Sequence, residues 1–344
     1  MSRSTAEAAE AAQVRAAQTG GLFDCGGDAR DAAVVVIGVP WEPTVSYRRG
    51  ASQTPGRIAR ASQQVDLHSE LLGRSFGAET ALTLREDWLR LNDHACAAAA
   101  RGDCAAVNAA SAQLNAELAA DCAALHASGR AAGVLGGDHS AAYGAIAASA
   151  AAHGGRSAPG APGGIGVLHM DAHYDLRAAY QGFAHSHASV MHNVLESVPE
   201  VQRLVSVGVR DYSSCERQRA EKDARVQSFR ERELRAALYR GRTWADLCGE
   251  IIEALPARVH ISFDIDGLDP ALCPHTGTPV PGGLAFGEAA FLLDAVAASG
   301  RRVVGFDLCE VAPNPRDPGD EWDLNVAARL LHQLCALAWL GRSG

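Results

Sequence analysis

Residues 165–175 read Ile-Gly-Val-Leu-His-Met-Asp-Ala-His-Tyr-Asp, and they indicate both a fold class and the place of a site. The run from Ile165 to Met170 has the length and apolar character of a strand buried on both faces of a parallel sheet. Asp171, His173 and Asp175 then alternate along the chain, so in an extended segment they point to one side, about 7 Å apart. Because buried carboxylates are costly without a partner, we expect these groups to bind something at the strand's end.

The same alternation of apolar runs and helical stretches continues along the chain. Further apolar runs predict strands at 33–39, 131–135, 204–209, 259–263 and 303–308. Helical composition predicts helices at 105–128, 215–254, 288–298 and 324–340. This pattern predicts an α/β fold with a parallel sheet covered by helices on both faces. Sites in such sheets lie at the carboxyl ends of the strands, where the polar residues of this chain gather.

The domain organisation is simple by sequence. We expect residues 1–30, an alanine-rich helix followed by a loop, to form an N-terminal extension outside the core. Residues 31–344 show no break in composition and predict a single catalytic domain, in which residues 41–62 form a polar loop.

Composition excludes several classes of protein. The net charge of −9 disfavours a nucleic-acid surface, and the chain has no run of 18 apolar residues that would cross a membrane. The first 20 residues lack the apolar segment of a secretory signal, and the nine cysteines form no C-x-x-C pair. We therefore expect a cytoplasmic protein with reduced cysteines, which binds neither nucleic acid nor membrane.

Two more motifs repeat the pattern of polar groups after an apolar strand. Residues 262–270 read Ser-Phe-Asp-Ile-Asp-Gly-Leu-Asp-Pro, and His139 follows Gly136-Gly137-Asp138. A single D-x-H or D-x-D is often only a surface turn, but three such motifs after separate strands are much more specific. Together they supply two imidazoles and four carboxylates: His139, Asp171, His173, Asp175, Asp264 and Asp266.

Four carboxylates in one cleft repel one another, and divalent cations are the natural neutraliser. Hard oxygen ligands with a minority of nitrogen suit Mn²⁺, and two metal ions can share bridging carboxylates. Six ligands are too many for one four-coordinate zinc ion. The sequence therefore predicts a binuclear metal site.

These motifs, together with FDLCEV at 306–311, resemble those of the ureohydrolase family, which comprises arginases, agmatinases, guanidino-acid hydrolases and formimidoylglutamases. The loop at 38–58 is also similar to an early loop of that family, and the resemblance spans about residues 34–335. It implies a three-layer α/β/α fold with a parallel sheet of about eight strands. It also implies a homo-oligomer, either a trimer or a hexamer.

The resemblance also implies two Mn²⁺ ions per chain, with Ni²⁺ or Co²⁺ as chemical alternatives. The ligands of one ion would be His139, Asp171, Asp175 and Asp264. Those of the other would be Asp171, His173, Asp264 and Asp266, so that Asp171 and Asp264 bridge. A metal-bound hydroxide would attack the carbon of a linear amidine or guanidine and cleave a C–N bond.

Two further residues receive catalytic roles from the resemblance. Glu310 would accept hydrogen bonds from the substrate guanidinium, which a carboxylate can do with both oxygens. A salt bridge to an arginine is the alternative for Glu310. His187 would relay protons, although it could also be an ordinary loop histidine, with His185 or His192 as the true counterpart.

Arg177 bears on the choice of substrate. It lies two residues beyond Asp175, so an extended segment would turn it to the same side as the ligands. There it could bind a substrate carboxylate, or it could pair with a carboxylate of the protein or of a neighbouring subunit. Formimidoylglutamases often carry Leu-Arg where this chain has Leu176-Arg177.

We therefore expect a carboxylate-bearing substrate: formimidoylglutamate, arginine or another guanidino acid. Hydrolysis of agmatine to putrescine and urea is the first alternative. Two others are a one-zinc deacylase of the histone-deacetylase type and a non-catalytic subunit on the same fold.

Overall fold

A computed structural model describes residues 21–25, 27–155 and 163–342 of the 344-residue chain. Its centre is an eight-stranded parallel sheet in the order β4-β1-β5-β10-β9-β6-β7-β8, beside a two-stranded antiparallel hairpin of β2 and β3. The strands are β1 (Val34–Gly38), β2 (His68–Ser69), β3 (Arg74–Ser75), β4 (Thr80–Leu84), β5 (Ala131–Leu135), β6 (Ile165–Met170), β7 (Val201–Val207), β8 (Val226–Phe229), β9 (Arg258–Asp264) and β10 (Arg302–Cys309).

Ten α-helices of the described residues flank the sheet. They are α1 (Thr54–Ala61), α2 (Glu86–Ala100), α3 (Cys104–Ala127), α4 (Ala142–His153), α5 (Val190–Ser197), α6 (Ser214–Lys222), α7 (Glu231–Tyr239), α8 (Trp244–Glu253), α9 (Phe286–Ala298) and α10 (Trp322–Gly341). Helices α1 and α7–α10 bury their apolar side chains on one face of the sheet, and α2–α6 on the other. This arrangement confirms the predicted three-layer α/β/α fold with about eight parallel strands.

Strand residues alternate between the two faces, as the two-residue period of a strand requires. In β6, Leu168 and Met170 pack on the α10 face, whereas Val167 packs on the α4 face. Because both faces are covered, the central strands are apolar runs, which is why β5 and β6 have the predicted bounds. In the described part of the chain, no helix is long and apolar enough to span a membrane.

The two edge strands and one helix differ from the sequence-based expectation. Strand β8 interrupts the predicted helix at 215–254, and neither β8 nor β4 is predicted, because edge strands are only partly buried and lack a continuous apolar run. Residues 41–62 are not all loop, since helix α1 begins at Thr54. Pro55 occupies its first turn, where a missing N–H costs no hydrogen bond, and Ile58 is buried.

The predicted N-terminal extension is partly wrong. Residues 1–20 lie outside the described residues, so that part stays a prediction. Leu22 and Phe23, however, are buried in the main core beside α1 and α10, and the ring of Phe23 packs edge-on against His332 at 5.0 Å. The segment from Gly21 therefore belongs to the packed domain. Residues 153–164, which are mostly glycine, alanine and proline, predict a flexible loop, and residues 156–162 of it lie outside the described residues.

Replacing Phe23 with alanine tests whether this segment stabilises the domain. Removing a buried phenylalanine side chain typically costs about 3–5 kcal/mol, so we expect the free energy of unfolding to fall by about that amount. Phe291→Ala is the control, because Phe291 is 46% exposed and should cost well under 1 kcal/mol. Denaturant unfolding measures both, and equal small losses would place Phe23 outside the stabilising core.

Candidate functional site

The strand order brings the predicted ligands together. Strands β5, β10, β9 and β6 are neighbours, and their carboxyl ends meet at one edge of the sheet. His139 begins the short helix after β5, and the stretch from Asp171 to Asp175 follows β6. Asp264 ends β9 and Glu310 follows β10. Residues separated by up to 171 positions therefore surround one point.

Two backbone segments pack closely against each other just before His139. Gly137, two residues before His139, lies against Trp41, and a Cβ at Gly137 would lie 1.7 Å from the carbonyl oxygen of Trp41. The backbone N–H of Asp138 donates to the same oxygen over 2.7 Å. Only glycine allows this packing, because any Cβ would overlap the Trp41 backbone.

One group of ligands surrounds His139. Its Nδ1 lies 2.9 Å from Oδ2 of Asp175, 3.1 Å from Oδ2 of Asp171 and 3.4 Å from Oδ2 of Asp264. All four side chains are buried. Nδ1 of His139 and Oδ2 of Asp175 are buried polar atoms that make no hydrogen bond with the described residues. Unpaired buried atoms of this kind are unfavourable unless they bind a ligand, and this donor set fits a cation.

A second group shares Asp171 with the first. Nδ1 of His173 lies 3.3 Å from Oδ1 of Asp171 and 3.2 Å from Oδ2 of Asp266. Asp171 thus presents one oxygen to each group, as a bridging carboxylate would. Oδ1 of Asp264 accepts from the backbone N–H of Asp266 over 2.8 Å, while its Oδ2 faces His139. The bridging role of Asp264 stays a prediction.

The electrostatics of the cluster indicate excess negative charge. Burial and the charges of Asp266 and Asp171 hold the pKa of Asp264 well above its ordinary value. Burial and the charge of Asp171 raise the pKa of Asp175 to about 6. The two imidazoles therefore do not neutralise the surrounding carboxylates, and a divalent cation would relieve the repulsion.

The structure adds ligand candidates and partners that the sequence analysis missed. Nε2 of His169 lies 2.8 Å from Oδ2 of Asp171, so His169 is a further potential ligand on the first group. The sequence could have indicated His169, because it lies two residues before Asp171 in a strand and the two side chains therefore point to the same side. Behind His139, Nε2 contacts Oγ of Ser262 at 2.9 Å, and Ser262 donates to Oδ1 of Asp307 over 2.9 Å. Such a chain leaves Nδ1 of His139 free for a metal ion.

A cavity of about 270 Å³ opens above the cluster. The predicted site residues on its wall are His139, His173, Asp175, Arg177, His187, Asp264 and Glu310. Asp171 and Asp266 lie beneath them and are not part of the wall. A small linear molecule could therefore reach both ligand groups.

Glu310 takes an unusual backbone conformation at the bottom of this cavity. Its φ is +61°, in the left-handed region that residues other than glycine rarely adopt, and such strain is common at functional sites. Oε1 of Glu310 accepts from the backbone N–H of His139 over 2.9 Å, while Oε2 accepts no hydrogen bond from a described residue. Burial and the charge of Asp138 raise the pKa of Glu310 well above its ordinary value. Among the described residues no arginine pairs with Glu310, so the alternative of a salt bridge is not observed.

His187 is the histidine of its segment that reaches the cavity, whereas His185 and His192 do not line it. Its Nδ1 lies 3.3 Å from Oγ1 of Thr44, and its Nε2 lies 3.5 Å from Oγ of Ser46. Burial, with a smaller contribution from neighbouring His173, lowers the pKa of His187 to about 4. The ring is therefore neutral near pH 7.

Arg177 is held in place by the protein itself. Its Nε donates to Oε2 of Glu216 over 3.2 Å, and its guanidinium lies 4.4 Å from the centre of the Tyr180 ring. Glu216 is buried and also accepts from Ser213. The alternative of a protein carboxylate as partner is thus observed. The Nη atoms make no hydrogen bond with the described residues, and the side chain still lines the cavity.

Comparisons with known proteins agree with the fold and with the family resemblance. The model of the arginase family matches residues 32–336. The N(1)-aminopropylagmatine ureohydrolase of Thermus thermophilus is 32% identical over 91% of this chain and 94% of its own. The proclavaminate amidinohydrolase of Streptomyces clavuligerus is 32% identical over 81% of this chain and 80% of its own. Its solved structure superposes with a TM-score of 0.71 over 94% of this chain and 98% of that one.

Replacing Asp264 with alanine tests the metal cluster. We expect wild-type protein to bind about two Mn²⁺ ions per chain and the variant to bind fewer than about one, because a shared ligand is lost. Metal analysis after dialysis measures this content. Asp31→Ala is the control, since Asp31 is exposed and its side chain forms no hydrogen bond or ion pair with the described residues. Full metal content in Asp264→Ala would remove Asp264 from the ligand set.

Proposed function

This chain belongs to the arginase family and is a hydrolase of C–N bonds in linear amidines, and we propose that it cleaves a guanidine at two Mn²⁺ ions. The observation that carries the proposal is a pair of buried polar atoms, Nδ1 of His139 and Oδ2 of Asp175, which make no hydrogen bond with the described residues although they lie side by side at the cavity. Asp171 places one oxygen toward each ligand group, which supports two ions. A single-zinc deacylase would leave the second group of carboxylates without a partner.

The residues that would hold the ions are His139, Asp171, Asp175 and Asp264 for one, and Asp171, His173, Asp264 and Asp266 for the other. His169 is an additional candidate for the first. Manganese ions at this place would lower the pKa of a water molecule and stabilise negative charge on the attacked group. Nickel or cobalt ions would suit the same mixed oxygen and nitrogen donors.

The protein's own groups would orient the substrate and move the proton. Glu310 offers Oε2 to a guanidinium N–H, which holds the planar carbon beside the ligand cluster. Neutral His187 can take a proton at Nε2 and give it to the leaving amine. The overall reaction of a guanidinium with water gives urea and an alkylammonium, so atoms and charge balance with no net release of a proton.

Residues at the far end of the cavity would select the tail of the substrate. Glu216 holds Arg177 through Nε, which leaves two Nη groups that suit a carboxylate. We therefore favour a guanidine or amidine with a carboxylate tail, namely arginine, another guanidino acid or formimidoylglutamate. All of the expected ligand side chains are present, which disfavours a non-catalytic subunit.

A second candidate substrate has a cationic tail. Asp211 lines the same cavity and forms no ion pair with the described residues. It could bind the ammonium group of agmatine or of an aminopropyl derivative, and the relative from Thermus thermophilus is named for such a molecule. A trimeric or hexameric assembly and a cytoplasmic location stay predictions.

Replacing His187 with asparagine tests the proton relay. We expect kcat to fall about 100-fold or more, because general acid–base catalysis contributes that much, while metal content stays at the wild-type level. Steady-state kinetics and metal analysis on one preparation measure both quantities. Loss of metal would place His187 among the ligands instead. His192→Asn is the control, because His192 is close in sequence but does not line the cavity.

Substrate choice is tested with metal-loaded protein and a panel of arginine, 4-guanidinobutyrate, formimidoylglutamate and agmatine. Urea reports on the guanidines and formamide on formimidoylglutamate. We expect Arg177→Ala to lower kcat/KM on the carboxylate substrate about 30-fold or more and to have little effect on agmatine.

The control for this experiment is Arg232→Ala, an exposed arginine outside the cavity. An equal loss on all substrates would give Arg177 a purely structural role. Faster wild-type turnover of agmatine than of any acid would favour the cationic tail and Asp211. Absence of turnover on the whole panel, with metal bound, would contradict the proposed hydrolysis.

A further inference from the structure

A line of buried polar side chains continues beyond Asp307 into the middle of the fold. Oδ2 of Asp307 contacts Nε2 of His260 at 3.0 Å, and Nδ1 of His260 contacts Oγ of Ser149 at 2.9 Å. Asp307 and His260 are fully buried, and Ser149 is 1% exposed. Such groups are costly inside a core, so their placement needs a reason.

The line extends from Ser149 toward the amino ends of the strands, opposite the cavity. Oγ of Ser149 lies 3.5 Å from Nε2 of His126, and Nδ1 of His126 lies 3.3 Å from Nε2 of His153. Helix α4 carries both Ser149 and His153, and α3 carries His126. Three helix residues thus connect to the ligand His139 through strands β9 and β10.

When His139 and His260 are neutral, the chemistry of the groups sets the direction of each hydrogen bond between His139 and Ser149. A carboxylate only accepts, so Ser262 and His260 both donate to Asp307. Nδ1 of His260 must then accept, which makes the hydroxyl of Ser149 its donor. Because the proton of Ser262 goes to Asp307, its oxygen accepts the Nε2–H of His139. The Nδ1 lone pair of His139 is thereby directed at the ligand cluster.

A glycine in the neighbouring strand makes room for this arrangement. Gly305 of β10 pairs in register with His260, next to an irregularity in the strand between Val303 and Gly305. A Cβ at Gly305 would lie 2.5 Å from Oγ of Ser149 and 3.1 Å from Nδ1 of His260. Any larger residue would therefore push into the Ser149–His260 hydrogen bond. This is an independent sign that the sheet accommodates the contact.

We propose that Ser149 and His260 are positioning residues that hold Asp307, and through it the metal-binding tautomer of His139, with Gly305 as the residue that permits their contact. The inference rests on the proposed metal-dependent function. This line of residues is not required to carry protons to solvent, because hydrolysis of a guanidinium releases no net proton. His126 closes the outer end of this line of residues, with Nε2 3.5 Å from Oγ of Ser149.

The test measures Mn²⁺ binding by the metal-free full chain, without reference to turnover. Outer partners of metal-binding histidines typically change metal affinity about 10–100-fold, so we expect Ser149→Ala and Gly305→Ala to weaken Mn²⁺ binding about tenfold. His260→Ala should weaken it more than His260→Gln, because glutamine can still donate to Asp307. Calorimetric titration gives the Kd for each.

Two matched controls separate this role from a general effect on packing. Ser111→Ala removes a buried serine of α3 whose hydroxyl bonds only to its own helix, and Gly249→Ala adds a methyl group where nothing lies within 4 Å. Both should bind Mn²⁺ like the wild type. Thermal unfolding of each metal-free variant reports on packing.

Each outcome of this experiment has a definite meaning. Lower stability of metal-free Ser149→Ala and Gly305→Ala with an unchanged Kd would show a purely structural role and overturn the inference. Equal binding by His260→Gln and His260→Ala would also overturn it. If wild-type protein binds no Mn²⁺ at all, the proposed function fails first and this inference fails with it.

Discussion

The structure depends on how four buried carboxylates are kept together. Asp171, Asp175, Asp264 and Asp266 meet at the ends of two adjacent strands, β6 and β9, beside the imidazoles of His139, His169 and His173. In a low dielectric this repulsion would oppose folding unless charge is supplied from outside. The raised pKa of Asp264 and the unpaired Nδ1 of His139 are two expressions of the same imbalance.

The parallel sheet makes this cluster possible. Only the carboxyl ends of neighbouring parallel strands point to one place, and each can deliver a different motif without a long loop. The free-energy cost of the cluster includes buried polar side chains elsewhere in the sheet, at positions that are otherwise apolar. His169, His260 and Asp307 are such residues. His260 bonds to Ser149 of α4 and to Asp307, and His169 contacts Ser206 of β7.

The cavity separates two tasks. At its inner end Glu310 and the ligand cluster suit a planar cationic group, and the chemistry there is common to any guanidine. At its outer end Arg177 and Asp211 present opposite charges, so we propose that the tail of the substrate is selected there. The pairing of Arg177 with Glu216 orients the guanidinium without occupying its Nη atoms. On this proposal, different residues of one cavity wall determine the reaction and the choice of substrate.

Short stretches of sequence were sufficient for the central strands and for the six ligand candidates, because strand periodicity and the D-x-H and D-x-D spacings are local properties. Residues 131–135 and 165–170 are strands with the predicted bounds. Only the tertiary structure decided the order of the strands, the burial of Phe23 and the partner of Arg177. Glu216 is 39 residues from Arg177, and His260 is 47 residues from Asp307. Such contacts join distant parts of the chain, so no local pattern records them, and they appear only once helices and strands are packed.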